Sequence, residues 1–326
     1  MDKNSVNHFF YVENWISDAH KMSLIYILFF VMFSFAIIEL NFEISYSLPE
    51  VSDVNIAFVG DWGCTGDTKK TVKAIEKQEP DLIFSLGDTS YELDLECWLD
   101  IVKPIFNKMK AVIGNHDVYV PNILNQYMDR FNLTNQYYSF DYNNIHFLVM
   151  SSEFLYMPDS AQYKFIEDDL KENSKNSNTT WTIVLSHRQQ YSSQCGNHES
   201  CDPVKRLRNT YHPLFQKYDV DLIISGHAHN YQRSYPLIYN DTNSSRPIVG
   251  DTAKTLYNSP KGLIQIVAGI GGVDHDNFSN QEPFIVYQDD VGYGFFNIDI
   301  SKDANVLRGT YFEYNGEKLD EFTIKK

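Results

Sequence analysis

The sequence predicts an α/β fold, and three observations carry that prediction. Between Val54 and Ile113 short apolar runs alternate with helical patterns, the rhythm of βαβ units with parallel strands. From Leu263 onward the chain reads as strands and turns alone. Five apolar runs end in Gly or Ser followed at once by a side chain able to hold a metal: FVG-Asp61, SLG-Asp88, VIG-Asn115, VLS-His187 and ISG-His227.

Taken in order, Val54–Val59 is a partly β-branched run that stops at Gly60-Asp61-Trp62-Gly63. Thr68–Gln78 is rich in Lys, Glu and Ala and ends before Pro80, so it predicts a helix. Leu82–Leu86 is the second strand. Asp94–Lys110 is helical in pattern with a break at Pro104, and Ala111–Ile113 is the third apolar run. Tyr137–Tyr142 and Ile145–Met150, joined at Asn143-Asn144, predict a hairpin. Ala161–Glu172 predicts a helix, Asn173–Thr180 a surface loop and Trp181–Leu185 a strand. Gln189–Pro203 reads as a polar loop and Lys205–Tyr218 as a helix, followed by a strand at Asp221–Ser225. Leu263–Ala268, Phe295–Ile300, Arg308–Tyr314 and Leu319–Ile324 are the closing strands, with a turn at Asn315-Gly316.

At 43% hydrophobic the chain can bury a large core. Its 27 basic and 43 acidic residues give a formal charge of −16, which argues against nucleic acid as a partner. Any anion handled here needs local attraction, such as bound cations. The four cysteines form no CxxC, so a thiolate zinc site is not indicated. They pair as Cys195–Cys201 and Cys64–Cys97 if the protein is exported, or stay as buried thiols if it is not. The N-terminus speaks for export. Residues 1–21 form a leader, 22–38 an uncharged apolar run and 39–52 a polar linker before a folded domain at 53–326. As a helix, the apolar run would span roughly 25 Å, short of a ~30 Å hydrocarbon core. It serves as a signal peptide or as a membrane anchor, either of which places the folded domain outside the cytoplasm, or else as a buried core helix, since it is apolar all round. Sequons at Asn132, Asn178, Asn240, Asn243 and Asn277 fit a glycoprotein.

Parallel strands point their C-terminal ends one way, and α/β proteins gather their ligands in that crevice. A single buried Asp or His is more often structural. Carboxylates, an amide and three histidines gathered without partner cations are not. Oxygen and imidazole donors without thiolates suit Fe, Mn or Zn, and they are too many for one ion. Two ions sharing a carboxylate make a clamp for displacement at phosphorus.

These residues resemble a known family. Asp61-x-Gly63, Gly87-Asp88-x-x-Tyr91, Gly114-Asn115-His116-Asp117, Val184-x-x-His187 and Gly226-His227-x-His229 resemble the five blocks of the purple acid phosphatases, a branch of the calcineurin-like metallophosphoesterases. Most other members of that superfamily carry Asp-x-His in the first block and lack the tyrosine. The short length resembles the small form of the family, whereas Gly226–Arg233 is closer to the long plant form. The resemblance implies a four-layer α/β/β/α sandwich of two mixed sheets with metals at one edge. It implies that Asp61, Asp88, Tyr91 and His229 hold Fe(III), and that Asp88, Asn115, His187 and His227 hold a divalent Fe, Zn or Mn, with Asp88 shared.

It further implies hydrolysis of phosphate monoesters, on small molecules or phosphoproteins, by attack of metal-bound hydroxide on phosphorus. His116, with His198, would protonate the leaving group. Three anionic ligands and a bridging hydroxide against 3+ and 2+ ions leave about one net positive charge, enough to admit a phosphate. Asp117 is expected to support the ligands. Arg233 orients phosphate or sits in a surface ion pair, and His275 lies near the pocket rim. His146 and His212 read as ordinary strand and helix residues. The rival readings are a phosphodiesterase or nucleotide hydrolase on the same scaffold, and a surface binding module without catalysis.

Overall fold

The computed structural model describes residues 54–119, 121–193 and 202–326. The expected leader, apolar run and linker lie outside the described residues, as do Cys195, His198 and Cys201. No helix among the described residues is long and apolar enough to cross a membrane.

The described residues open with β1 (Val54–Val59), α1 (Gly66–Gln78), β2 (Leu82–Ser85), α2 (Glu96–Val102) and β3 (Met109–Ala111). β1 pairs in parallel with β2, and β2 with β3, as the alternating pattern predicts. Then come α3 (Asn115–Tyr119), α4 (Pro121–Arg130), the hairpin β4 (Tyr138–Tyr142) and β5 (Ile145–Val149), α5 (Ala161–Asn173), β6 (Trp181–Ser186), α6 (Asp202–Lys217) and β7 (Leu222–Ser225). The remainder is all strand: β8 (Tyr231–Ser234), β9 (Leu237–Ile238), β10 (Ile248–Val249), β11 (Leu256–Asn258), β12 (Ile264–Ala268), β13 (Ile285–Asp289), β14 (Gly294–Ile300), β15 (Val306–Glu313) and β16 (Lys318–Lys325).

These strands form two mixed seven-stranded sheets, ordered β11-β16-β15-β14-β1-β2-β3 and β13-β8-β12-β7-β6-β5-β4, and a small β9–β10 pair. Strand alternation sorts the core into layers. Along β1, Ile56 and Phe58 enter the core between the sheets, while Ala57 and Val59 pack with Val72 and Ile75 of α1 and Trp98 of α2. Along β6 and β7, Trp181, Ile183, Leu185, Leu222 and Ile224 face the other sheet, while Val184 and Ile223 join Ile166 of α5 and Tyr211 and Phe215 of α6. Both faces of these strands are covered, so their sequences are unbroken apolar runs. The architecture is the expected α/β/β/α sandwich.

Local chemistry fixes the element ends. Thr65 caps α1 by accepting from Thr68 N–H at 3.0 Å, and Ser160 caps α5 by accepting from Tyr163 N–H at 3.1 Å. The third strand sits earlier than its apolar run. Ile83 and Ser85 register with Met109 and Ala111, and Val112 only extends the ladder by donating to Ser85 O at 2.8 Å. The helical pattern of 94–110 therefore ends at Val102, ahead of Pro104. Cys64 and Cys97 are joined in a disulfide, Cα to Cα 5.9 Å, tying the loop after β1 to α2.

His146 on β5 is not the bland strand residue its position suggests. It is buried between two carboxylates, with Nδ1 2.7 Å from Asp141 Oδ1 and Nε2 2.8 Å from Asp169 Oδ2 on α5. Burial alone would lower its pKa, but the hydrogen bonds to Asp169 and Asp141 outweigh it and raise the value. A raised histidine contributes stability fully below its unfolded pKa of about 6.5, and the contribution fades as pH climbs through the folded value. We expect the melting-temperature gap between wild type and His146→Gln to be wide at about pH 5.5 and to close by about pH 9. Thermal melts across that range check this, and a constant gap would count against it.

Candidate metal centre

The loops after β1, β2, β3, β6 and β7 meet at one edge of the sandwich, and each delivers a donor. Parallel neighbours bring the first two loops together: Asp61 N–H donates to Gly87 O at 3.1 Å, and Trp62 N–H to Asp88 O at 3.0 Å. Contacts across the sheets complete the cluster. His187 Nδ1 lies 2.8 Å from Leu86 O, and His227 N–H donates to Asp61 Oδ2 at 2.8 Å. Asp61, Asp88, Tyr91 and His227 all have φ between 52° and 69°, the left-handed region that costs non-glycine residues about 1 kcal/mol or more and clusters at functional sites. Glycine is required beside them. A Cβ on Gly226 would come within 2.6 Å of Asp61 Oδ2, and one on Gly114 would overlap Asp88 Oδ1.

Two groups of donor atoms converge. In the first, Tyr91 Oη lies 3.1 Å from Asp61 Oδ1, 3.3 Å from Asp88 Oδ2 and 3.0 Å from His229 Nε2. Bonds of about 2.1 Å at right angles around one cation separate neighbouring donors by about 3 Å, so this set fits a metal. In the second, His187 Nε2 lies 3.0 Å from Asn115 Oδ1 and 3.3 Å from Asp88 Oδ2. Asp88, His187 and His227 each present a ligand atom within 4.8 Å of the others. Asp88 Oδ2 thus belongs to both sets.

The orientation of two histidines carries the same message. Metal-binding imidazoles commonly give their outer N–H to a carbonyl or carboxylate. His187 places Nδ1 on Leu86 O, and His229 places Nδ1 2.9 Å from Asp274 O, so each turns Nε2 to the centre.

Burial and close-packed charge dominate the electrostatics of the cluster. Burial pushes the Asp61 carboxyl up to about 6, despite His187 and His229 nearby. The Tyr91 phenol is raised well above its usual value by burial and then by the Asp61 and Asp88 charges. Burial would also raise Asp88, but His187 and His116 outweigh it and hold the carboxyl below its ordinary range. His187 is driven up to about 10 by Asp88 and Asp61 in spite of burial. A cation bound between them would offset the penalty on Asp61 and Tyr91 together.

The other expected residues fall as follows. His116 is exposed at the rim, its ring 4.3 Å from the Tyr91 ring and its N–H donating to Asp88 Oδ1 at 2.8 Å. Asp117 is buried beneath the ligand loops. It accepts from Gly114 N–H at 2.8 Å, Asp88 N–H at 2.9 Å, Thr89 N–H at 3.1 Å and Thr89 Oγ1 at 2.7 Å. His275 buttresses His229, with Nδ1 3.0 Å from His229 O and its ring stacked on Tyr293 at 4.1 Å. Arg233 is not in a surface ion pair. It is buried on β8, gripping Asp320 of β16 through Nε at 2.6 Å and Nη2 at 2.7 Å. The strand that begins at Tyr231 carries it into the sandwich and away from the phosphate role its closeness to His229 suggested. His212 is buried against Tyr191 at 2.6 Å.

One residue at the centre goes unnoticed in the sequence. Arg188 is buried, forms a two-pronged pair with Glu153, and reaches His227 Nε2 at 3.0 Å. Its only signal is its place next to His187.

A metallophosphoesterase centre on this sandwich agrees with comparison to known proteins. The family model for calcineurin-like phosphoesterases matches residues 54–231, and the chain belongs to that family. Within it the chain is related to the purple acid phosphatases. It is 31% identical over 290 residues to a probable inactive purple acid phosphatase of Arabidopsis thaliana, covering 79% of this chain and 45% of the relative. It is 29% identical over 297 residues to a nucleotide pyrophosphatase/phosphodiesterase of Hordeum vulgare, covering 80% of this chain and 76% of that protein. The structure of a purple acid phosphatase from yellow lupin (Lupinus luteus) seeds superposes with a TM-score of 0.73 at 24% identity, over 83% of this chain and 53% of the lupin chain. The chain spans about half the length of the Arabidopsis relative and of the lupin structure. Disulfides persist in oxidising compartments, so the Cys64–Cys97 bond points to a protein outside the cytoplasm.

Proposed function

We propose that the chain is a dinuclear-metal acid phosphatase that hydrolyses phosphate monoesters outside the cytoplasm, secreted or held at a membrane through residues 22–38. The observation that carries this reading is the Tyr91 hydroxyl, 3.0 to 3.3 Å from Asp61, Asp88 and His229. A phenol has an ordinary pKa near 10, and burial among carboxylates raises it further, so a hard trivalent ion such as Fe(III) is the partner that makes it a ligand. Asn115 and the imidazoles of His187 and His227 suit a divalent Fe, Zn or Mn beside it. The bound pair supplies Lewis acidity toward a phosphoryl oxygen and toward water.

The chain's own residues do the rest. Asp88 fixes the spacing of the two positions. Asp117 holds the loops after β2 and β3 rigid. His116, exposed above the centre and packed on Tyr91, is placed to hand a proton to a departing alkoxide. His198, outside the described residues, is proposed as a second proton donor. The Hordeum relative favours one other reading, hydrolysis of phosphodiesters or nucleotides; on this chain that reading goes with Mn or Zn at the centre in place of iron.

The visible spectrum of wild type beside Tyr91→Phe separates these readings. We expect a broad charge-transfer band in wild type that disappears in the variant while iron is retained, together with hydrolysis of a monoester at acidic pH. A colourless, iron-free protein points to the diesterase. An unchanged band removes Tyr91 from the ligand set.

A further inference from the structure

Arg188 follows the β6 ligand His187 directly and is held rigidly. Nε donates to Glu153 Oε1 at 2.7 Å, and Nη2 donates to Glu153 Oε2 at 3.2 Å. Both side chains are largely buried, at 6% and 10% exposure. The backbone is pinned as well: Arg188 N–H donates to Ser152 Oγ at 3.1 Å, and its carbonyl accepts from Ser186 Oγ at 2.9 Å. One guanidinium nitrogen, Nη1, then lies 3.0 Å from His227 Nε2.

A guanidinium can only donate. His227 Nε2 is therefore the acceptor, and a neutral ring carries its proton on Nδ1. That ring has committed its one lone pair to Arg188 and has none for a cation. Were His227 to ligate through Nδ1 instead, the neutral ring would carry its proton on Nε2, and two donors would face each other 3.0 Å apart. Through either nitrogen, the Arg188 contact and a cation on neutral His227 exclude one another. His187 and His229 show the opposite arrangement, each with Nδ1 on a backbone carbonyl and Nε2 turned inward. The fixed positive charge of Arg188 also opposes a divalent ion at that side of Asp88.

We propose that Arg188 competes with the divalent ion for His227, so that the position of Asp88, Asn115, His187 and His227 fills only when the guanidinium withdraws. The position of Asp61, Asp88, Tyr91 and His229 fills without that step. The inference rests on the two-metal reading of the centre. It adds that the two positions differ in affinity, and that hydrolysis follows the free concentration of divalent ion. Glu153 sets the strength of the competition, because withdrawal of Arg188 breaks a buried ion pair.

The test is calorimetric titration of the metal-stripped full chain, first with Fe(III) and then with Mn²⁺. Wild type, Arg188→Gln and the double variant Arg188→Gln/Glu153→Gln are compared; the double variant leaves no carboxylate unpaired, and thermal melts confirm folding. Wild type is expected to retain one equivalent through dialysis and to take the Mn²⁺ equivalent weakly. The folded variants should bind Mn²⁺ at least about tenfold more tightly, with the Fe(III) isotherm unchanged. Nitrogen-15 spectra of metal-free wild type should place the His227 proton on Nδ1. Two tightly retained equivalents in wild type, an unchanged Mn²⁺ isotherm in the folded variants, or a His227 proton on Nε2 overturns the competition alone. No metal uptake at either position overturns the two-metal reading and the competition with it. Phosphatase assays read the activity separately, since the isotherms need no turnover.

Discussion

Asp88→Asn is expected to strip the centre of metal at both positions and to lower phosphoester hydrolysis by at least about a thousandfold. Oδ2 of Asp88 stands 3.3 Å from Tyr91 Oη on one side and 3.3 Å from His187 Nε2 on the other, so one atom serves both donor sets. Oδ1 accepts from His116 N–H at 2.8 Å, a bond that the Asn carbonyl oxygen preserves. The backbone is preserved too, since Asp88 sits at φ 52° and Asn tolerates that region as Asp does. The substitution therefore removes charge and bridging while leaving the loop in place. Lewis-acid stabilisation of a phosphoryl transition state is worth several kcal/mol, and about 4 kcal/mol is a thousandfold in rate. Metal content under excess divalent ion, read beside activity and thermal melting, checks this. Retention of both metals by a folded variant would show that Asp88 does not bridge.

The five strand ends explain why so much of this centre is legible in the sequence. A strand buried on both faces must be apolar throughout, so a polar residue at its C-terminal end stands out. In parallel neighbours all such ends point one way. Asp61, Asp88, Asn115, His187 and His227 are visible for that reason, and the structure gathers all five. Tyr91 and His229 follow within a turn of their block. The fold is legible for the same reason in β1, β2, β6 and β7, whose two apolar faces serve two different core layers.

What stays hidden depends on contacts between segments far apart in the chain. α4 buries Ile123 and Tyr127 amid polar neighbours, too thin a stripe to read as a helix beforehand. β8 looks like a continuation of the ligand loop, because Tyr231–Ser234 mixes polar and aromatic residues. Its burial is satisfied by Asp320, 87 residues away, and no local pattern signals that pairing. Arg188 is hidden likewise. Glu153 lies 35 residues earlier in a loop after β5, and only the β5–β6 pairing brings the two together.

The second large expectation concerns Asp117, which touches no donor atom of either set yet holds the loops that carry them. Its two oxygens accept four hydrogen bonds, from Gly114 N–H, Asp88 N–H, Thr89 N–H and the Thr89 hydroxyl, all in a buried setting. Burial and the neighbouring Asp88 charge raise its carboxyl to about 6 even so, which shows how much those donors are needed to keep a carboxylate there. Asp117→Ala leaves three backbone N–H groups and a hydroxyl without acceptors. Each orphaned group costs about 1–3 kcal/mol, less what relaxation and entering water recover, so a loss of about 3–5 kcal/mol in folding stability is expected. Asp117→Asn keeps one acceptor oxygen but turns an NH₂ toward donors, and should fall between Ala and wild type. Denaturant midpoints at constant m-value measure the stability change. The metal isotherms of the same variants measure the slackening of the Asp88 and Asn115 loops. An Ala variant within about 1 kcal/mol of wild type, with unchanged metal binding, would mean that the ligand loops hold their shape without Asp117.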